Sequence, residues 1–157
     1  MTTPSYTAVL HLLHAHAGIA DRFGRGLGSI HGLGLNEVLL LMHLEGAPMR
    51  RLSRVDLARR LSVSPSTVTR MTTPLEKIGM VGRQANTRDA RLAYVTLTEA
   101  GQSAIVDARA SLERMAEGVF RDRWTEAEIA TLASLLARLT AGQPGDIVAL
   151  NGIRVAT

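Results

Sequence analysis

Ser53 and Ser64 constrain this chain more than any other pair of residues, because each opens a helix and little lies between them. Ser53 has Asp56 three positions on, the pattern of a capping box. Ser64 is followed by Pro65, a hydroxyl cap and then a residue whose missing N–H costs nothing in a first turn. The span between them holds one brief helix, ending near Leu61, with Ser62 and Val63 as the turn. From Pro65 to Gly79 a second helix follows, with Val68, Met71, Leu75 and Ile78 at the spacing of one buried face. Two short helices on a tight turn have the proportions of a helix-turn-helix. Pro74 sits inside the second, where proline removes a backbone hydrogen bond and crowds the previous turn. It forfeits only its bond to the Arg70 carbonyl, so one continuous helix with a mild bend at Arg70–Pro74 is expected.

What comes next narrows the fold further. Met80–Gln84 and Arg91–Leu97 are strand-like runs flanking a polar tip at 85–90, and in the second run Ala93, Val95 and Leu97 alternate with Tyr94 and Thr96. A helix-turn-helix followed directly by a hairpin is a winged helix. Helical text brackets this centre. Tyr6 to about Leu27 carries Leu10, Leu13, Ala17 and Phe23 roughly on one side, until Gly28, Gly32 and Gly34 break it. Asn36 caps a helix through Leu44, and residues 49–52 leave room for one edge strand. Thr98 caps a helix to about Phe120 with Ile105, Leu112, Met115 and Val119 as its stripe. Thr125 with Glu128 opens a last one, carrying Ile129, Leu132, Leu136 and Leu139. The fold class is therefore mainly α with a small β-hairpin wing. One structural domain divides into an N-terminal helix and junction (1–34), a winged helix-turn-helix lobe (35–97), and C-terminal helices and tail (98–157).

Charge points the same way. Between Arg50 and Arg91 ten basic residues face only Asp56, Glu76 and Asp89, whereas the rest of the chain is slightly acidic. A basic centre on a mildly acidic frame suits a polyanion. Absent cysteine excludes disulfides, thiolate metal sites and thiol redox sensing. The five histidines (His11, His14, His16, His31 and His43) all precede the basic centre and complete no plausible metal set, so no metal or other cofactor is expected. No Ser/His/Asp order, carboxylate pair or glycine-rich phosphate loop stands in a suitable context for an enzyme. Apolar runs are short, and no basic region precedes the N-terminal apolar stretch, so a cytoplasmic chain with no membrane partner is expected.

The order of elements, with Asp56-Leu57-Ala58, Thr69-Arg70, Leu75-Glu76, Gly79-Met80-Val81, Asp89-Ala90-Arg91 and Leu97-Thr98-Glu99-Ala100-Gly101 in register, resembles the MarR family of bacterial transcription regulators. That resemblance implies a homodimer built from the first and last helices, carrying two winged lobes that bind double-stranded DNA. It also implies repression relieved by a small aromatic or lipophilic ligand held between the dimer helices and the lobe. Pro65, Ser66, Thr67, Thr69, Arg70 and Thr73 lie opposite the buried stripe of the second helix, where base edges are read, and Arg70 is the long donor suited to guanine. Ser66 and Thr67 could equally do no more than satisfy first-turn amides. At the wing, the family motif places the minor-groove arginine at Arg91, with Asp89 shaping the tip. Arg83, Arg88 and Arg54 read as phosphate contacts, which position without specifying sequence. His31 and His43 flank the junction where a ligand pocket could open. The alternatives are a winged-helix scaffold for protein contacts and a ligand-insensitive DNA-binding activator.

Overall fold

The computed structural model describes residues 3–85, 93–143 and 145–146. Helix α1 (Pro4–His31) continues through Gly28, where the sequence suggests a break, and stops at Gly32 in the left-handed conformation. One glycine inside a helix costs only about 1 kcal/mol, and complete burial of the neighbouring Leu27 offsets it. Helix α2 (Leu35–Glu45) starts from Gly34, whose N–H donates to Glu37 Oε2 at 2.8 Å, so Asn36 lies inside the first turn rather than at the cap. Val38, Leu40, Leu41, Met42, His43 and Leu44 of α2 are all buried. This is the central helix, packed by α1, by the helix-turn-helix and sheet, and by the long helix after the wing.

A single 3-10 turn, Pro48–Arg50, leads into strand β1 (Arg51–Ser53) and helix α3 (Arg54–Leu61). Helix α4 (Pro65–Lys77) runs unbroken through Pro74. Strands β2 (Val81–Ala85) and β3 (Ala93–Leu97) pair antiparallel, and β1 adds to the far side of β3, giving the order β1-β3-β2. The register sets Leu52 opposite Val95 and Val81 opposite Leu97. Leu52, Val81 and Val95 thereby close the core from the sheet side, each buried. Helices α5 (Glu99–Phe120) and α6 (Glu126–Thr140) complete the chain, α5 capped by Thr98 and α6 by a Thr125/Glu128 capping box.

The buried stripe of α4 differs from the expected one. Val68 and Leu75 are buried, but Ile78 is 59% exposed. The helix has ended at Lys77, so the helical period no longer carries Ile78 inward. Thr72 is buried in its stead, its hydroxyl donating to the Thr69 carbonyl at 3.2 Å. The end itself is a Schellman motif: Gly79 N–H donates to the Glu76 carbonyl at 3.1 Å and Met80 N–H to the Leu75 carbonyl at 2.9 Å. Gly79 adopts φ 75°, which a side chain would resist.

That end is joined directly to α5. The Thr98 hydroxyl accepts from Gly101 N–H at 3.1 Å and reaches the carbonyls of Gly79 (2.7 Å) and Met80 (2.9 Å). A Cβ on Gly101 would collide with the Met80 carbonyl oxygen, so only glycine lets α5 approach this closely. One junction therefore fixes the angle between α4 and the long helix that leaves the lobe.

Burial continues into Leu27 of α1 and Ile105, Ala108 and Ser111 of α5, but it does not reach the start of α1 or any part of α6. No residue of α6 is buried among those described. Leu13 of α1 is 60% exposed and Leu139 of α6 is 62% exposed, and Tyr6, Leu10 and Leu135 are also exposed. Among the described residues no single helix is long and apolar enough to cross a membrane.

Candidate nucleic-acid interface

The interface is built from two caps. Ser53 Oγ accepts from Asp56 N–H at 3.0 Å and donates to Asp56 Oδ2 at 2.7 Å, which starts α3. Ser62, at φ 54°, turns the chain into Ser64, whose Oγ accepts from Thr67 N–H at 3.2 Å. With Pro65 in the first turn, this fixes the start of α4 and sends its second face outward.

Pro65, Ser66, Arg70 and Thr73 are exposed on that face, and Thr67 and Thr69 are half-buried beside them. The structure thus brings all six together, opposite Val68, Thr72 and Leu75. Their hydroxyls are already engaged locally. Ser64 Oγ lies 2.8 Å from Ser66 Oγ and 2.9 Å from Thr67 Oγ1, while the Thr73 hydroxyl donates to the Thr69 carbonyl at 2.8 Å. Arg70 folds along the helix, with Nη2 3.3 Å from Thr67 Oγ1. Arg54 reaches over from α3, Nη1 3.4 Å from Thr69 Oγ1. Two arginines and a row of hydroxyls therefore share one outward surface.

Arg83, on β2, is tied to α4 by a 2.8 Å bond from its Nε to Glu76 Oε1. The sequence reading missed Glu76, since only the angle between α4 and β2 brings the two together. The sequence groups Arg51 with Arg54, Arg59 and Arg60 as a set holding one or two phosphate contacts, but not with Tyr94 and Gln84. The Arg51 guanidinium lies 4.7 Å over the Tyr94 ring and donates to Gln84 Oε1 at 2.9 Å. Alternation in β3 sends Tyr94 to the outer face, the signal that could have found this cluster. Arg88, Asp89 and Arg91 lie outside the described residues.

Neither histidine stands at the junction as a free contact. His31 Nε2 is 2.9 Å from the hydroxyl of buried Ser111, which also accepts from Arg114 at 3.0 Å. His43 is 1% exposed inside the core. Burial, then the positive charge of Arg60, lowers its pKa to about 4. The cleft at the junction, about 460 Å³, is lined instead by Ala20 of α1, Leu35, Asn36 and Glu37 of α2, and Thr67, Arg70 and Met71 of α4. Among the described residues no group of three His, Asp or Glu side chains could hold a metal.

Residues 33–92, which span α2 to the wing, match the model of the MarR family. Over these residues the chain is similar to the MarR family. Over 84 residues it is 30% identical to an uncharacterized HTH-type transcriptional regulator, YwhA, of Bacillus subtilis, a match covering 54% of this chain and 60% of that protein. The MarR-family fold extends over the outer helices too. The crystal structure of Sco3205, a MarR family regulator from Streptomyces coelicolor in complex with DNA, superposes with a TM-score of 0.76 at 23% identity, over 90% of this chain and 89% of that one. BpsR from Bordetella bronchiseptica gives 0.74 at 18% identity, over 90% and 99%.

Proposed function

We propose that this chain is a homodimeric, sequence-specific DNA-binding transcriptional regulator, a repressor whose grip on its operator is relieved by a small ligand. The observation that carries the reading is the outward surface of α4, where Arg70 and the hydroxyls of Ser66, Thr67, Thr69 and Thr73 stand together with Arg54. In this reading residues 35–97 bind DNA while the flanking helices dimerise. Helix α4 enters the major groove with its first two turns on base edges, and Arg70 makes a bidentate contact to guanine. Arg54, Arg83 and Arg88 hold phosphates, and Arg91 enters the minor groove from a wing tip shaped by Asp89.

Exposed apolar surface on α1 and α6 supports the dimer, since a second copy is what such faces ordinarily bury against. A two-fold pair of lobes reads a pseudo-palindrome with half-sites about 10 base pairs apart. For the ligand, the support is the cleft between α1, α2 and α4, because Arg70 both lines it and faces outward for DNA. DNA binding by BpsR is regulated by 6-hydroxynicotinic acid. An aromatic acid of that class suits a cleft with an arginine and Met71 in its wall. It would draw Arg70 away from DNA.

Selection of duplexes from random sequence by the purified chain tests the proposal. A repeated inverted motif bound by two chains, with affinity falling steeply as salt rises, is the expected result. Enrichment of no motif, with undiminished binding to protein partners when Arg70 is replaced, would favour a protein-contact scaffold.

A further inference from the structure

We infer that Glu76, an acid on the DNA-facing side of the molecule, strengthens DNA binding by holding Arg83 in place for a phosphate. The inference rests on the DNA-binding reading above. Thr69, Thr73 and Glu76 follow one another at helical spacing, so Glu76 ends the outward row of α4. Across the Gly79 turn, Arg83 comes back from β2 to meet it, Nε to Oε1 at 2.8 Å. The pair is asymmetric: the Glu76 side chain is 26% exposed and that of Arg83 53%. The carboxylate is thus the seated member and the guanidinium the one that reaches solvent.

Fold stability gives this pair little to do. A bond to a half-exposed arginine is screened by water and contributes weakly. Glu76 also sits in the last turn of α4, where the helix dipole disfavours negative charge. The geometry has another consequence. Only the Nε edge meets Glu76, and the guanidinium carries further donors on Nη1 and Nη2. A planar fork held along one edge is oriented before a phosphate arrives, so less freedom is lost when it binds. At the end of the recognition row, the acceptor that such a fork meets is the backbone wall of the groove.

The test has opposite signs for the two roles. An acid that merely stands near phosphates repels them, and its removal tightens binding. An acid that positions Arg83 supports binding, and its removal weakens it. Affinity of wild type, Glu76→Ala, Glu76→Gln, Arg83→Ala and the double variant Glu76→Ala/Arg83→Ala is measured against one duplex selected by the wild-type chain, across a salt series, with folding checked by circular dichroism. Arg83→Ala is expected to bind about three- to tenfold more weakly and to reduce the salt slope by about 1 per lobe. Glu76→Ala should show a loss of the same order, Glu76→Gln a smaller one because its amide oxygen still accepts from Nε. In the Arg83→Ala background the Glu76→Ala change should cost nothing or tighten binding. Unchanged or tighter binding by folded Glu76→Ala alone overturns the inference and leaves the DNA-binding reading standing. Failure of wild type to bind any duplex removes that reading and the inference with it.

Discussion

Helices α2 and α6 are both rich in leucine, yet their fates are opposite. Six residues of α2 are buried, and none of α6 is. The difference lies in their neighbours: α2 is wrapped by α1, α3, α5 and the sheet, whereas α6 touches the rest of the described chain only sparsely. The core around α2 is complete within one chain, while α1 and α6 carry exposed apolar side chains that the proposed dimer would bury. Stability of the lobe and assembly of the dimer should therefore be separable by mutation.

The largest effect on the lobe is expected from Leu41→Ala, which opens a cavity where the side chain is wholly buried. It should cost about 2–5 kcal/mol in urea unfolding. Next comes His43, in the same helix. Its folded pKa is lowered to about 4 from an ordinary 6.5. Above 6.5 its neutral ring suits both states and the full stability is present. As pH falls towards 4 the unfolded chain takes up a proton that the folded one refuses, so stability is lost, by up to about 3 kcal/mol. His43→Leu should remove that part of the pH dependence, seen as the difference between the two chains' urea midpoints from pH 7 to pH 4.5. The smallest effect on the lobe belongs to Leu139→Asp. Placed on an exposed site, it should change the lobe's own stability by no more than about 0.5 kcal/mol, yet shift the chain from dimer to monomer in sedimentation. If Leu139→Asp unfolds the lobe or leaves the dimer intact, the contrast between the two helices is wrong.

Much of this was legible because helix caps are local. Ser53, Ser64, Thr98 and Thr125 each act within three or four residues, and each does so in the structure. Gly79 as a stop was legible for the same reason. The unreadable parts depend on what lies across the fold. Gly28 reads as a breaker only if nothing holds its helix, and burial of Leu27 does. Ile78 fits the period of α4 but lies one residue past its last turn. His43 resists periodicity arguments because α2 is covered on nearly every side. The α4 half of the candidate surface was legible as a face, since opposite sides of one helix follow from spacing alone. The Glu76–Arg83 pair and the cleft beside Arg70 needed the packing of α4 against its neighbours.

The central claim is that the first two turns of α4 read DNA through Arg70. Fluorescence anisotropy of wild type and Arg70→Ala, on the selected duplex and on one with the contacted guanine replaced, tests it most directly. Wild type should lose about 1–3 kcal/mol per lobe on the replaced duplex, and Arg70→Ala should bind both duplexes equally, at that weaker level. Arg70→Ala binding the selected duplex as tightly as wild type, with the same preference for guanine, would contradict the account.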